Sequence, residues 1–199
     1  MASRTRTRLT VEQRRAEILD TAASIFDAAP FNEISTTQIA TQCGISQGLI
    51  FHYFESKAGL YAAVLEQRFA HLRASIAQCT EGLPPNTPAR ETLKAAVGVY
   101  LDYIAQRPAA WVAETRGNDI PAEALFVRID QRDRSVSQLR ELLSGAMGHP
   151  RAEFAVTGFF GFVDAICVDW ADAGCPVDKR HALIETALGA LEGALGDWG

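Results

Sequence analysis

The sequence contains few groups that could bind a metal ion. Its four cysteines include no pair with the CxxC spacing of a zinc site. They are Cys43, Cys79, Cys167 and Cys175. The four histidines are scattered, and none has another histidine or cysteine one helical turn away. We therefore predict no metal site, no bound cofactor and a reducing compartment.

The sequence also lacks a long hydrophobic segment. The longest apolar run, Val156 to Val168, is interrupted by Thr157 and Asp164 and has 13 residues. A helix that spans a bilayer needs about 20 apolar residues. The first residues are rich in arginine and threonine without an apolar stretch, so no signal peptide is predicted. We expect a soluble, cytoplasmic protein that does not bind membranes.

An overall excess of positive charge is missing. The net charge of -5 argues against a protein that binds nucleic acid without regard to sequence. The charge is nevertheless uneven, because residues 1–15 carry five arginines and one glutamate, whereas residues 58–199 carry 13 basic and 18 acidic side chains. Such a basic arm attracts phosphates or the minor groove. Charge alone leaves a solvated, disordered terminus as the alternative.

The alternation of apolar and polar residues that marks strands is also absent, and no Asn-Gly or Asp-Gly hairpin signal occurs. Apolar residues instead recur at helical spacing almost throughout. We predict an all-α fold of eight or nine helices. The predicted segments are 10–29, 36–43, 47–54, 57–80, 89–106, 108–116, 121–147, 150–173 and 178–196.

Local signals set the limits of the first helices. Thr10 and Gln13 have the spacing of a capping box. Ser35 or Thr36 is predicted to cap the second helix, and Gly44 follows it where a left-handed residue commonly ends a helix. Further caps are predicted at Ser46 and Ser56 for the third and fourth helices.

Residues 36–54 have the pattern of a helix-turn-helix, two short helices joined by a tight turn that contains glycine. Four apolar residues are expected to pack against the first helix: Ile39, Ile45, Ile50 and Phe54. The outer face then carries Thr36, Thr37, Gln47, Gly48, Leu49, Phe51, His52 and Tyr53. A major groove admits one helix, whose N-terminal residues reach the base edges.

The residues of the outer face are predicted to make two kinds of DNA contact, with base edges and with phosphates. Gln47 can pair bidentately with an adenine, Gly48 permits close approach of the backbone, and Leu49 can touch a thymine methyl group. Phosphate contacts, which fix register rather than sequence, are predicted for a second set. That set is Thr37, His52, Tyr53 and Lys57.

The stretch from Arg14 to Glu66 resembles the N-terminal domain of the TetR family of transcriptional regulators. The resemblance lies in TTQIA, then GIS, then QGLIFHYF and the KAGL that opens the fourth helix, all in order. Two positions depart from the family pattern: Gln47 stands where lysine is common, and Phe51 where tyrosine is common. The operator sequence therefore cannot be inferred from relatives, and Phe51 has no hydroxyl group for a phosphate.

The resemblance implies two domains and a dimer. Residues 1–57 would form a DNA-binding domain with a basic N-terminal arm, and residues 58–199 a ligand-binding and dimerisation domain. In the family, the last two long helices of each subunit form a four-helix dimer interface. In this sequence those helices are 150–173 and 178–196. A helix as apolar as 154–170 also needs cover on two faces. Ile184, Leu188, Leu191 and Leu195 form the predicted stripe on the last helix.

The family's middle helices enclose a small apolar ligand, which implies a pocket of aromatic and aliphatic residues with a few polar groups. The predicted apolar and hydroxyl-bearing lining is Tyr103, Trp111, Thr115, Phe126, Phe159 and Phe162. The predicted orienting groups are Glu114, Asn118 and Asp164. An ordinary core role is the alternative for each aromatic residue. Asp164 lies within an apolar run, so its carboxylate needs a partner.

Together these expectations predict a homodimeric, sequence-specific repressor that binds a palindromic operator on double-stranded DNA. A small apolar or aromatic effector is expected to release it from the operator. The alternative is a TetR-like DNA-binding protein without such an effector. Gly44 to Gly48 also matches the G-x-S-x-G string of hydrolases, with Ser46 as the nucleophile. That motif needs a preceding strand, which is not predicted, so we expect no enzyme.

Overall fold

The structure is a computed structural model that describes residues 10–117 and 120–196. Nine α-helices and two short 3₁₀ turns occupy these two ranges, which contain no strand. The helices are α1 Val11–Ala28, α2 Thr36–Cys43, α3 Gln47–Phe54, α4 Lys57–Glu81, α5 Ala89–Ala105, α6 Pro108–Arg116, α7 Ala122–Leu142, α8 Pro150–Asp172 and α9 Val177–Leu195. The all-α prediction is confirmed.

Capping explains why the first helices begin and end where they do. Thr10 and Gln13 form both hydrogen bonds of the capping box. The hydroxyls of Ser35 and Ser56 accept from backbone N–H groups in the first turns of α2 and α4. Gly44 ends α2 in the left-handed conformation, with φ 64°. The prediction for Ser46 is wrong in one respect: it occupies the N-cap of α3, but its hydroxyl makes no capping bond.

The first four helices share one core. Ile18 of α1, Ile39 of α2 and Ile50 of α3 are fully buried in it, together with Leu60 and Leu65 of α4. Helix α2 packs against α1 as predicted, whereas α3 packs mainly against α2 and α4. Because α4 continues to Glu81, this long helix leads from the core of the helix-turn-helix into the rest of the protein.

Helices α5 to α9 surround a second core. It contains Leu101, Trp111, Val156, Phe159 and Leu188. The predicted helix ends are accurate to within about two residues except at α7, which ends at Leu142 and is followed by a separate 3₁₀ turn, Ser144–Ala146. The proposed domain boundary at residue 57 therefore lies at the start of the helix that joins the two cores.

By length and composition alone, α8 could cross a membrane, since Pro150–Asp172 has 23 residues and an 18-residue window of mean hydropathy 1.5. A core helix of a soluble protein meets the same criterion. Within the subunit, one face of α8 is covered by α6, α7 and α9. Its remaining apolar face is described below with the surface of α9.

Candidate DNA-binding surface and ligand cavity

Helix α3 presents one face to the core and the other to solvent. Ile50 and Phe54 are buried, whereas Gln47, Gly48 and Phe51 are exposed. The other outward positions are exposed or half-buried; they are Thr36, Thr37, Leu49, His52 and Tyr53. Phe51 is 42% exposed, which is unusual for a large apolar side chain on a protein surface. The face predicted to meet DNA is therefore accessible along its length.

The Gln47 side chain is held in place by α2. Its Nε2 donates a hydrogen bond to Oγ1 of Thr36, which lies at the start of α2. This bond restricts the Gln47 rotamers and leaves the amide oxygen and the second N–H for another partner. At Gly48, an added Cβ would have one contact, with Ser46 Oγ at 4.0 Å. The described protein therefore leaves room for a side chain at this position.

The structure contradicts the phosphate role predicted for Lys57. Its Nζ donates to the carbonyl oxygens of Phe31 at 2.8 Å and Ile34 at 2.9 Å, and it lies 4.0 Å from the centre of the Phe31 ring. Burial lowers the pKa of Lys57. The ammonium group thus fastens the start of α4 to the turn between α1 and α2. A lysine at the N-terminus of a helix, where positive charge is unfavourable, is explained by these two carbonyls.

A structural role for Lys57 predicts a loss of stability. The Lys57→Met variant keeps much of the side-chain stem but removes the charged donor from both carbonyls, leaving Phe31 with the longer backbone bond from Ile34 at 3.4 Å. We expect the free energy of unfolding to fall by about 1–3 kcal/mol, measured by urea denaturation. Lys179→Met, at an exposed position on α9, serves as the control. An unchanged stability, with a weaker salt dependence of DNA binding, would restore the phosphate role.

Part of the basic arm lies outside the described residues, including Arg4, Arg6 and Arg8. Within the described part, Arg14 pairs with Glu17. The Arg15 guanidinium lies 5.2 Å from the centre of the Phe54 ring, at the end of α3. Arg15 is exposed, so it adds a positive charge beside the helix that carries the predicted DNA contacts.

A cavity of about 780 Å³ lies among α4 to α8. Five of the predicted ligand residues line it: Trp111, Glu114, Thr115, Phe159 and Asp164. The volume is within the range of about 300–1,000 Å³ that is usual for small-molecule sites. Much of the remaining lining is aliphatic and comes from α4, α5 and α7.

Three of the predicted ligand residues do not line the cavity, and the prediction for them is wrong. Phe126 is 69% exposed, because it lies on another face of α7. Phe162 is 37% exposed on the outer face of α8. Tyr103 is turned aside, and its hydroxyl accepts a hydrogen bond from Arg107. A further predicted ligand residue, Asn118, lies outside the described residues.

Sequence reasoning missed the polar side of the cavity. Arg128, Gln131, Arg132 and Ser135 of α7 line it, and so does Arg73 of α4. The α7 positions follow the i, i+3, i+4, i+7 spacing of one helical face. A helical projection of 122–142 would have shown this polar stripe, but the one residue predicted from this helix was the aromatic Phe126.

The carboxylate of Asp164 has partners, as its place in an apolar run requires. Tyr100 donates to Oδ1 at 3.0 Å, and Arg132 forms an ion pair with Oδ2. Burial, and then the neighbouring Asp164 carboxylate, raise the pKa of Tyr100 well above its usual value. Tyr100 is therefore a neutral donor at physiological pH.

Glu114 is buried, with 4% exposure, at the centre of a group of charges. Its two oxygens accept from Arg107 at 2.6 and 3.0 Å, and Tyr61 donates to it at 3.4 Å. The guanidinium groups of Arg68 and Arg128 lie 3.6 and 3.8 Å away. Glu114 also lines the cavity. A cavity-facing carboxylate of α6 thus meets side chains from α4, from α7 and from Arg107 at the N-cap of α6.

Arg68 extends this group to the helix-turn-helix. It pairs with Asp27 of α1 at 2.7 Å and donates to the carbonyl of Ala23 at 2.8 Å. We call Asp27, Arg68, Arg107, Glu114 and Arg128 the ion cluster. The ion cluster gives a continuous polar connection from the cavity wall to α1, against which α2 packs.

Known proteins match this chain both in its first helices and over most of its length. Residues 18–64 match the family described as bacterial regulatory proteins, tetR family. The HTH-type transcriptional regulator BetI of Escherichia coli (strain K12) is 26% identical over 174 residues, which cover 85% of this chain and 88% of that protein. BetI of Yersinia pestis is 24% identical over 173 residues, or 86% and 87%.

Solved structures extend the match over the whole fold. A tetR-family transcriptional regulator from Streptomyces coelicolor superposes with a TM-score of 0.79 at 22% identity, covering 96% of this chain and 85% of that one. A TetR-like transcriptional regulator from Rhodococcus sp. RHA1 gives 0.70 at 25% identity, covering 96% and 100%. Residues 18–64 thus form a tetR-family DNA-binding domain, and the whole chain has the fold of TetR-like transcriptional regulators. The resemblance seen in residues 14–66 is confirmed, and with it a DNA-binding helix-turn-helix.

The hydrolase-like string has an ordinary place in this TetR-family fold. Helix α2, rather than a strand, precedes Gly44, and Ser46 begins α3. The described ranges, 10–117 and 120–196, contain no strand from which a nucleophile elbow could rise.

The last two helices leave an apolar surface uncovered. On α8 it comprises Phe154, Gly158, Gly161, Phe162 and Ala165, which are all exposed. On α9 the exposed small residues are Ala182, Thr186 and Gly189. The stripe predicted for α9 is corrected here, because Ile184, Leu188 and Leu191 are buried within the subunit and Leu195 packs against them. We call the exposed set the α8–α9 face.

Proposed function

We propose that this regulator is a cytoplasmic homodimeric repressor that leaves a palindromic operator when a small apolar or aromatic molecule enters the cavity. The observation that carries the proposal is the position of Glu114. It forms part of the cavity wall and also of the ion cluster that reaches α1. A ligand that changes these contacts has a direct physical route to the DNA-binding helices.

The proposed DNA contacts follow the exposed face of α3. Gln47 reads a base edge, with Gly48 and Leu49 beside it, while Phe51 makes an apolar contact. Thr37, His52 and Tyr53 donate to phosphates. Thr36 acts through Gln47, whose amide it orients. Arg15 adds a positive charge next to this set.

The role of Gln47 predicts a change in sequence preference. We expect Gln47→Ala to weaken binding to the preferred site by about 1–3 kcal/mol and to relax discrimination at one base pair in each half-site. The measurement is affinity for a set of operators with single substitutions. Gln42→Ala, at an exposed position of α2, is the matched control. Unchanged discrimination would show that Gln47 does not read bases.

The α8–α9 face supports the homodimer. Large apolar side chains at Phe154 and Phe162 are exposed beside glycines whose added Cβ would meet nothing within 4 Å in the subunit. Such a surface is costly in water and suits close packing of two copies. A two-fold dimer places two copies of α3 to read half-sites about 34–36 Å apart, which is why a palindromic operator is proposed.

The proposed coupling depends on a difference in ligand affinity between two conformations. In the structure, Arg68 holds α4 to α1 through Asp27 and faces Glu114 on its other side. A ligand that draws Glu114 or Arg128 towards the cavity favours another position of α4 relative to α1. The spacing of the two α3 helices in the dimer would change with it.

A DNA-binding protein without an effector remains the alternative function. A filled core would favour it, whereas a cavity of about 780 Å³ favours a small-molecule effector. The test is operator affinity with and without compounds that bind the cavity. Val97→Trp, which fills the cavity from α5, should retain DNA binding and lose the response. If no compound that binds the cavity alters operator affinity in the intact dimer, the effector proposal is wrong.

A further inference from the structure

The charged groups around the cavity are unevenly matched. The ion cluster has three guanidinium groups, on Arg68, Arg107 and Arg128, but two carboxylates, on Asp27 and Glu114. It also has more donors than acceptors, because Nη1 of Arg68 and Nε of Arg107 are buried without a hydrogen-bond partner. The ion cluster therefore carries a net charge of +1, and Glu114 and Arg128 are its members that line the cavity.

Arg128 is the member of the ion cluster that is least engaged. Within the described residues its one ion-pair contact is with Glu114, at 3.8 Å, and both oxygens of Glu114 already accept shorter bonds from Arg107. Arg128 lines the cavity and is mostly buried, with 20% exposure of its side chain. A guanidinium in this position gains much from a carboxylate, to which it can donate two parallel hydrogen bonds.

Two further donors in the lining are also without a charged partner. The hydroxyl oxygen of Thr115 is shielded from solvent and has no hydrogen-bond partner. Arg73 donates to the neutral amide oxygen of Gln131, and among the described residues it forms no ion pair. In contrast, the buried carboxylates of the lining are occupied: Glu114 by Arg107, and Asp164 by Arg132 and Tyr100. Glu81 also lines the cavity but is exposed at the end of α4. The buried part of the lining thus offers donors to an anion but few acceptors to a cation.

Much of the remaining lining is apolar. Helices α5 and α8 contribute Leu93, Val97, Phe159 and Val163, and α6 contributes Trp111. This composition favours a ligand body without polar groups, since each buried polar atom there would lack a partner.

We propose that the cavity selects an amphipathic organic anion, a molecule with an apolar body and one carboxylate group, and that Arg128 binds the carboxylate. This proposal rests on the cavity being the effector site, and it adds the chemical class of the effector. A carboxylate bound to Arg128 draws that guanidinium away from Glu114, so ligand charge acts on the ion cluster directly.

The experiment compares three probes of equal chain length that differ in charge: decanoate, 1-decanol and decyltrimethylammonium. Binding to the full-length protein is measured by calorimetry, with no DNA present. A charge-assisted hydrogen bond in a buried site predicts that decanoate binds about ten- to a hundredfold more tightly than 1-decanol. The cation is expected to bind more weakly than either.

Three variants assign the preference to Arg128. Arg128→Met should bind decanoate and 1-decanol equally, while Arg128→Lys should keep a reduced preference for decanoate. Arg134→Met, whose arginine pairs with Asp130 on the exposed side of α7, should behave as the unaltered protein. Thermal unfolding of each variant verifies that it is folded. If 1-decanol or the cation binds as tightly as decanoate, if no probe binds, or if Arg128→Met keeps the preference, the proposal is overturned.

Operator binding measured with the same probes separates this proposal from the proposed function. Selective binding of decanoate without any effect on DNA would contradict the repressor mechanism and leave the ligand class intact. Release of DNA by the neutral probe alone would support the mechanism and contradict the ligand class.

Discussion

Replacing Glu114 with glutamine is expected to lower the free energy of unfolding by about 3–5 kcal/mol at neutral pH. The substitution keeps the shape of the side chain but removes its charge. Asp27, which lies near Arg68 and Arg107, would then be the one carboxylate left in the ion cluster, and Arg128 would lose its ion-pair contact. Since Arg68 and Arg107 are nearly buried, water cannot replace the lost charge.

The measurement is urea unfolding followed by tryptophan fluorescence at one fixed protein concentration, because dimerisation makes apparent stability concentration-dependent. Glu153→Gln is the matched control. Glu153 pairs with Arg140 on the surface, and exposed pairs contribute about 0–1 kcal/mol. An effect of Glu114→Gln no larger than that of the control would mean that the ion cluster does not hold α1, α4 and α6 together.

Placing a charge on the α8–α9 face is expected to produce monomers. Phe162→Arg puts a guanidinium among Gly158, Gly161 and Ala165, where a second subunit is proposed to pack. Burying this unpaired charge is more costly than separating the subunits. Because each half-site then binds independently, we expect operator affinity to fall by about 100-fold or more.

Oligomeric state is measured by sedimentation, and operator affinity on the same samples. Phe126→Arg is the control, since Phe126 is more exposed than Phe162 and lies on α7, away from the α8–α9 face. A dimeric Phe162→Arg variant with normal DNA binding would show that the subunits associate through another surface.

The local part of this structure could be predicted from sequence. The bounds of α2 and α3 were predicted correctly because each depends on near neighbours in the chain: the cap at Ser35, the left-handed turn at Gly44 and the apolar spacing of Ile39 and Ile50. The exposed face of α3 follows from the same spacing.

The connections between helices could not be predicted in this way. The ion cluster unites residues 27, 68, 107, 114 and 128, which no local pattern relates. Lys57 was assigned to DNA because it is near α3 in sequence, whereas the fold brings it to the carbonyls of Phe31 and Ile34. Phe126 was assigned to the cavity for its aromatic ring, although the face of α7 that lines the cavity carries Arg128.

The central claim is that two copies of α3 read a symmetric DNA site, with Gln47 at the base edges. Selection of bound fragments from a random pool of double-stranded DNA by the full-length protein tests this directly. We predict an enriched palindrome whose half-sites are centred about 10 base pairs, or a multiple of that distance, apart. In a parallel selection, Gln47→Ala should lose the preference at one position in each half. Failure to enrich any sequence, or enrichment of sites without two-fold symmetry, would contradict the account.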